Sequence, residues 1–340
     1  MRRFLRYFAL AMAAILALSS CSEEKKKKAL LPNISGKAGE VIVVIGQNDW
    51  EGTLGTTLRD TLACDCPFLP QREPLYTLID VAPSGFTNIF QLHRNIIIVN
   101  VSKNVTEPGV VYKSDVWAAP QCVIRINAAD SESAVTLFKE NSERIKGLLE
   151  EAERSRVIRN AKRYEELALA PVVTEMVGGS PHFPSGYKLK KKTSDFIWIT
   201  YDTQFTQQSI LIHKYPVVEG VDMMNPDVLI AENSRMMKDN VPGMDIEKNY
   251  MIINPVVKPS VKYLKYKDMS FAELRGLWEV EGDYMGGPFV THVFYSQDGK
   301  YMIMMQAFVY APKYDKRHYL RQVESILYSF EWAKEKKEDK

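Results

Sequence analysis

The chain has 340 residues, with 44 Lys plus Arg against 42 Asp plus Glu and a formal net charge of +2. That balance argues against a protein built to coat nucleic acid. Hydrophobic residues are 46% and charged residues 25%, which excludes the disordered class and leaves an ordinary globular protein. Residues 1–20 hold three of the bases, Arg2, Arg3 and Arg6, and no acid, so without them the charge is −1. The remaining length suits two domains at roughly 150 residues each.

The three arginines precede an apolar run at 8–18, and Ser19 and Ser20 follow, the three-part layout of a secretory signal peptide. Eleven apolar residues are too few to span a bilayer, which takes about 20. Leu18-Ser19-Ser20-Cys21 resembles the lipobox of bacterial lipoproteins. The resemblance implies cleavage before Cys21, a diacylglyceryl group on its sulfur, and a further acyl chain such as palmitate on the new amino terminus. Two or three chains anchor stably where one does not. Residues 22–35 are mostly polar, with four lysines at 25–28 and no periodic apolar face, and read as a flexible tether able to touch anionic headgroups. In the sorting logic of Gram-negative lipoproteins, the absence of Asp at position 22 favours the outer membrane. Ser22-Glu23-Glu24 weakly resembles an acidic signal for the cell exterior, so the membrane face stays open.

The elements follow in chain order. An apolar run at 41–45 ending at Gly46 reads as a buried strand. Trp50, Leu54, Leu58 and Leu62 share a helix face. Residues 75–81 form a second strand, 84–92 a short helix, 95–101 and 121–126 two more strands. After Asp130, an N-cap residue type, a charged helical segment runs to about 169. Alternating strands and helices predict an α/β layer with a mixed or mostly parallel sheet. Past Pro171 the texture changes. A turn-rich stretch at 178–186 leads into hairpin-like strands at 187–192, 196–201 and 209–215, a helix at 226–238, and strands at 250–253, 263–266, 274–280, 289–295 and 301–309. Asp298-Gly299 marks the last hairpin, and a final amphipathic helix covers 315–329. The expected class is α+β, with an N-terminal α/β layer on a mixed sheet and a C-terminal, largely antiparallel sheet with packed helices. The expected organisation is signal peptide 1–20, lipidated tether 21–35, α/β domain 36–170, α+β domain 171–332 and charged tail 333–340.

Chemistry-bearing constellations are few. Gly46, Gly52 and Gly55 surround a helix start, where phosphate can bind, yet Thr53-Leu54 stands where a Walker loop needs Lys-Ser/Thr, and Asp49 and Glu51 repel anions. A tight strand-to-helix connection is the better account. His93, His182, His213, His292 and His318 show no metal-ligand spacing. Besides Cys21, Cys64, Cys66 and Cys122 are an odd set for an oxidising compartment. A bond between Cys64 and Cys66 is strained, while pairing with Cys122 and unpaired thiols both stay open. The lysines at 188 and 190–192 suit either an anionic partner or protection of a sheet edge. Met302, Met304 and Met305 read as core. Arg94, Trp117 and Gln121, beside strand starts, are the candidate ligand contacts, because strand ends of α/β sheets often hold ligands. No cofactor or metal site is expected.

The lipobox, Gly39-Glu40, Asp49-Trp50-x-Gly52-x-x-Gly55, Leu69-Pro70-Gln71-x-Glu73-Pro74-Leu75, His93-Arg94-Asn95 and Trp117-Ala-x-Pro120-Gln121 together resemble an uncharacterised lipoprotein family of Gram-negative bacteria, catalogued as a domain of unknown function. The resemblance spans essentially the whole mature chain. It implies an envelope location and supplies no activity. The expectation is a binding or assembly component of the envelope, held in the outer membrane by lipid on Cys21 and meeting an envelope protein or glycan, not nucleic acid. The alternative is an envelope hydrolase acting on glycan or peptide. An enzyme is the less favoured class.

Overall fold

The computed structural model describes residues 31–243, 245 and 248–334. The signal peptide, Cys21, most of the tether and the end of the charged tail lie outside the described residues. The chain forms two compact units, the first of 31–64 with Tyr76–Ala152 and the second of Asp65–Leu75 with the chain from Glu153 onward. The division falls at Ala152, inside a helix. Pro171 is the third residue of the helix Leu169–Val177, where a missing N–H costs no helical bond.

The first unit is an α/β layer. Strands β1 (Glu40–Val44), β2 (Thr77–Val81), β3 (Asn95–Val101), β4 (Gly109–Ser114) and β5 (Cys122–Ala128) make one sheet in the order β2-β1-β3-β5-β4. All pairs are parallel except β4 with β5. Helices α1 (Gln47–Glu51) and α2 (Thr53–Leu62) connect β1 to β2, one turn, α3 (Asn88–Gln91), connects β2 to β3, and α4 (Ser131–Arg163) follows β5. The edge strand β4 has no sequence signal, because none of its residues is buried and they carry no apolar alternation. Ile42, Val44, Val81, Ile96 and Val123 form one apolar sheet face, against which Phe86, Phe90, Val116 and Trp117 pack while partly exposed. The alternate residues Val41, Val43, Ile97, Ile124 and Ile126 are buried too, as period-2 strands covered on both faces require.

The end of the expected tether is not free. Asn33 bridges Ala119 and Ser35 bridges His93, with Ser35 N donating to Leu92 O at 2.8 Å and Ala119 N to Pro32 O at 2.9 Å. Backbone pairing fixes residues 32–35 whatever their side-chain polarity.

The second unit is antiparallel. Strands β7 (Lys188–Lys192), β8 (Phe196–Asp202), β9 (Gln207–Pro216), β10 (Met251–Ile253), β12 (Met269–Val280), β13 (Gly286–Tyr295) and β14 (Tyr301–Tyr310) run in the order β10-β12-β13-β14-β9-β8-β7, and β11 (Ser260–Tyr266) also pairs with β12. One sheet face, with Ile199, Ile210, Val290 and Met305, packs against α5 (Leu169–Val177) and α7 (Arg317–Leu327). The other, with Trp198, Leu211, Phe289 and Met304, packs against α6 (Pro226–Asn240). Met302, Met304 and Met305 are fully buried. The lysines of β7 lie on an edge strand and are occupied locally, Lys190 over the Trp198 ring at 3.8 Å, Lys191 on Asn240 O and Lys192 on Glu175. A two-residue ladder joins β6 (Gly179–Ser180) to β15 (Glu331–Trp332).

Candidate functional site

The sequence motifs of the first unit meet at the amino ends of β1, β3 and β5. Glu40 Oε2 lies 3.3 Å from His93 Nε2 and accepts from Lys37 N at 2.7 Å. Asn95 Nδ2 donates to Glu40 O at 2.9 Å. Gly36, at φ +84°, packs on the His93 ring so closely that a Cβ would fall 2.1 Å from Nε2. Burial raises the Glu40 carboxyl, but bonds from Lys37 and His93 outweigh it and hold it low.

These residues form the scaffold on which residues 32–35 pair. Gln121 is buried, its amide donating to Gln91 O at 2.6 Å and His93 O at 2.7 Å while its carbonyl accepts from Trp117 N at 3.1 Å. Nothing on that side chain is left for a ligand. Trp117 packs edge-on against Phe86, with ring centroids 5.4 Å apart. Arg94 is half-buried, and its main chain joins Ser35 to Cys122. Ligands of open α/β sheets gather at the carboxyl ends of strands; these residues stand at the opposite ends.

The glycine motif is likewise a packing device. A Cβ on Gly55 would lie 1.9 Å from Trp50 O, and Arg59 donates to that same oxygen at 2.9 Å while covering the Trp50 ring at 4.5 Å. At the carboxyl ends of β1 and β5, a crevice of about 480 Å³ runs between Asn48, Asp49, Thr53, Ser131 and Glu132. Its carboxylates oppose an anion, and Asp49 is already bonded to the Ser131 hydroxyl.

Four of the five histidines sit beside a glutamate: His93 with Glu40, His182 with Glu165 at 2.8 Å, His213 with Glu232 at 3.0 Å, and His292 with Glu273 at 3.5 Å. Of these, His292 opens onto a cavity. Residues 273 and 292 are directly opposed in the β12–β13 register, and strand alternation turns both toward α7. Glu273 takes Arg275 in a two-point contact at 2.7 and 3.1 Å and the Tyr328 hydroxyl at 3.1 Å. Arg275 also reaches Glu324 of α7, and Arg154 stands over the Tyr328 ring at 3.6 Å. Two carboxylates and two guanidiniums thus balance inside the unit, as buried charge must.

Burial alone would raise the Glu273 carboxyl, but the His292 and Arg275 contacts outweigh it and hold it well below the usual carboxylate range. Burial lowers His292 against the pull of Glu273, so the imidazole is neutral at physiological pH. Burial, with Glu273 adding to it, pushes the Tyr328 phenol up. His292 Nε2 faces Glu273 at 3.5 Å and is sealed from solvent.

The cavity beside His292 measures about 200 Å³. Its walls come from the β11–β12 hairpin (Tyr266 to Met269), from Phe271 and Phe294, from Leu327 at the end of α7 and Tyr328 just after it, and from Phe330 to Trp332. The His292 ring lies 4.2 Å from Phe271 and edge-on to Tyr328 at 4.6 Å. The outer wall is held by the β15–β6 ladder and by Glu331, which pairs with Lys162 at 2.5 Å and lies 3.6 Å from His182. Sequence reasoning missed Glu273, Arg275 and His292. Their signal was a charged or titratable residue at the core-facing position of an otherwise apolar strand.

A family model described as Domain of unknown function (DUF8532) matches residues 34–162 and another, Domain of unknown function (DUF4837), matches residues 166–329. No curated protein matches the chain. A crystal structure from Bacteroides thetaiotaomicron is similar at 14% identity with a TM-score of 0.26, over 46% of this chain and 46% of that one. The chain therefore spans less than half the length of that protein, and the likeness carries no argument about the site. The resemblance read from the motifs is borne out at this level: the chain is made of regions that match uncharacterised families, two successive domains of unknown function.

Proposed function

We propose that this protein is a lipid-anchored binding component of the cell envelope, held in the outer membrane through acylated Cys21, whose second unit takes a small ring-shaped apolar ligand. The address rests on the signal-peptide layout and the lipobox. The binding reading rests on one observation, the aromatic cavity with the His292 ring in its wall. An apolar protein cavity of about 150 Å³ accepts benzene, so about 200 Å³ leaves room for a ring with one polar substituent. Burial of such a ring against Phe271, Phe294 and Trp332 supplies the affinity, and the neutral imidazole orients the substituent. A hydrolase would rest on the contact between His292 and Glu273, but the hydroxyls lining this cavity are the phenols of Tyr266 and Tyr328, which are poor nucleophiles while protonated.

The test uses phenol and indole as probes in ligand-observed NMR with the purified protein. Binding lost in Trp332→Ala and weakened in His292→Phe supports the reading. Absence of binding to the wild-type chain, or equal binding by all three proteins, overturns it. The address is tested separately, since Cys21→Ser is expected to abolish palmitate labelling and release the protein from membranes.

A further inference from the structure

A doubly wound sheet normally carries helices on both faces, and the first unit departs from that on one of them. Over the face built by Ile42, Val44 and Ile96, the connection from β2 to β3 supplies one helical turn, α3. Ile89 on that turn is 77% exposed, and Phe86, Phe90 and Trp117 are only half-buried beside it. A lone exposed apolar residue means little, but these are neighbours on a thinly covered face.

The chain path says what this face meets. Pro32 O is bonded to Ala119 N, two residues beyond Trp117, so the segment leading back to Cys21 departs from beside this patch. Nine residues lie between Cys21 and Leu31, a reach of about 35 Å at full extension. Lys25 to Lys28 fall within it and favour anionic headgroups. Trp settles at membrane interfaces, and Trp and Phe are among the side chains that surface-bound segments bury at the headgroup boundary.

From this placement we infer that the patch of Phe86, Ile89, Phe90 and Trp117 is a membrane-contact surface, laid against the same lipid leaflet that carries the anchor. The inference rests on the acylated Cys21 of the proposed function. Anchoring by acyl chains alone leaves the body free to rotate about its tether, whereas a second contact beside the tether fixes which face looks away from the lipid.

The acylated protein, reconstituted in phosphatidylethanolamine and phosphatidylglycerol vesicles containing lipids brominated near the headgroup, provides the test. Bromine quenches tryptophan on contact. Trp117 is one of five tryptophans, so up to a fifth of the emission is expected to be quenched, and Trp117→Phe should abolish that component. Ile89→Asp, at an exposed position that tolerates charge, should shrink it several-fold with acylation unchanged by intact mass. Wild-type protein that is acylated yet unquenched overturns the inference, as does quenching that persists in Trp117→Phe. If Trp117 is instead shielded only when envelope proteins are added, the partner is a protein and the lipid contact is refuted. A mass showing no lipid on Cys21 refutes the anchored reading itself, and this surface with it.

Discussion

Helix α7 begins at Arg317 without a side-chain cap of its own, its N-cap residue being Lys316. The cap comes from far away in the sequence. Glu73, only 4% exposed, accepts from Lys316 N at 2.6 Å and Arg317 N at 2.9 Å, placing a carboxylate at the positive end of the helix dipole. The same segment holds Lys316 Nζ through Gln71 Oε1 at 2.6 Å and Arg321 through Leu75 O at 2.8 Å. This accounts physically for Leu69-Pro70-Gln71-x-Glu73-Pro74-Leu75, and α7 in turn buries Leu320, Val323, Ile326 and Leu327. Removing a cap costs about 0.5–2 kcal/mol, and a hydrogen bond to a charged group contributes about 1.5–3 kcal/mol. The two overlap, so Glu73→Ala is expected to cost about 2–4 kcal/mol. Glu73→Gln should cost about 1–2 kcal/mol, because one amide oxygen still accepts while the NH₂ group meets a second donor. Urea denaturation measures the loss, and hydrogen exchange at the Lys316 and Arg317 amides localises it to the first turn of α7. A cost below about 0.5 kcal/mol for Glu73→Ala, or unchanged exchange at those amides, would refute the capping argument.

Three further outcomes follow from the same kind of reasoning. Gln121→Leu leaves Gln91 O, His93 O and Trp117 N without the partners they have now, and should lower the stability of the first unit by about 2–4 kcal/mol, read as a shift in its denaturation midpoint. Gly55→Ala ought to gain about 1 kcal/mol from helix propensity, but a Cβ at 1.9 Å from Trp50 O forces α1 and α2 apart, so a net loss of about 1–3 kcal/mol is expected; a stabilised variant by thermal melting would sink the close-packing account. The Glu273 carboxyl lies lower in the folded protein than its ordinary 4.5, so its stabilisation is complete above that value and drains away as pH falls toward the folded-state pKa. Glu273→Gln should flatten the acid limb of the pH–stability curve and cost about 3–5 kcal/mol at neutral pH by uncovering Arg275; an unchanged acid limb would mean that the group carries no such linkage.

What the sequence by itself determined was the local pattern. Strand β3 is a run of β-branched residues and β14 an apolar stretch after Asp298-Gly299, while α6 opens with Asn225 accepting from Asp227 N and Pro226 in its first turn. These signals lie within a few residues of one another, so they are legible in one dimension. The α+β class followed from their order.

The tertiary structure decided everything that depends on residues far apart. Glu73 meets α7 across more than 240 residues, so no window of sequence contains the cap. Arg94, Trp117 and Gln121 drew attention as polar or aromatic residues at strand starts, and it is the parallel register that gathers those starts at one edge of the sheet, where the incoming chain pairs. The cavity exists because His292 and Glu273 share one sheet face and α7 covers it. A charge buried at the centre of a strand is tolerable only when other elements bring its counter-charges, and which elements do so is settled by packing.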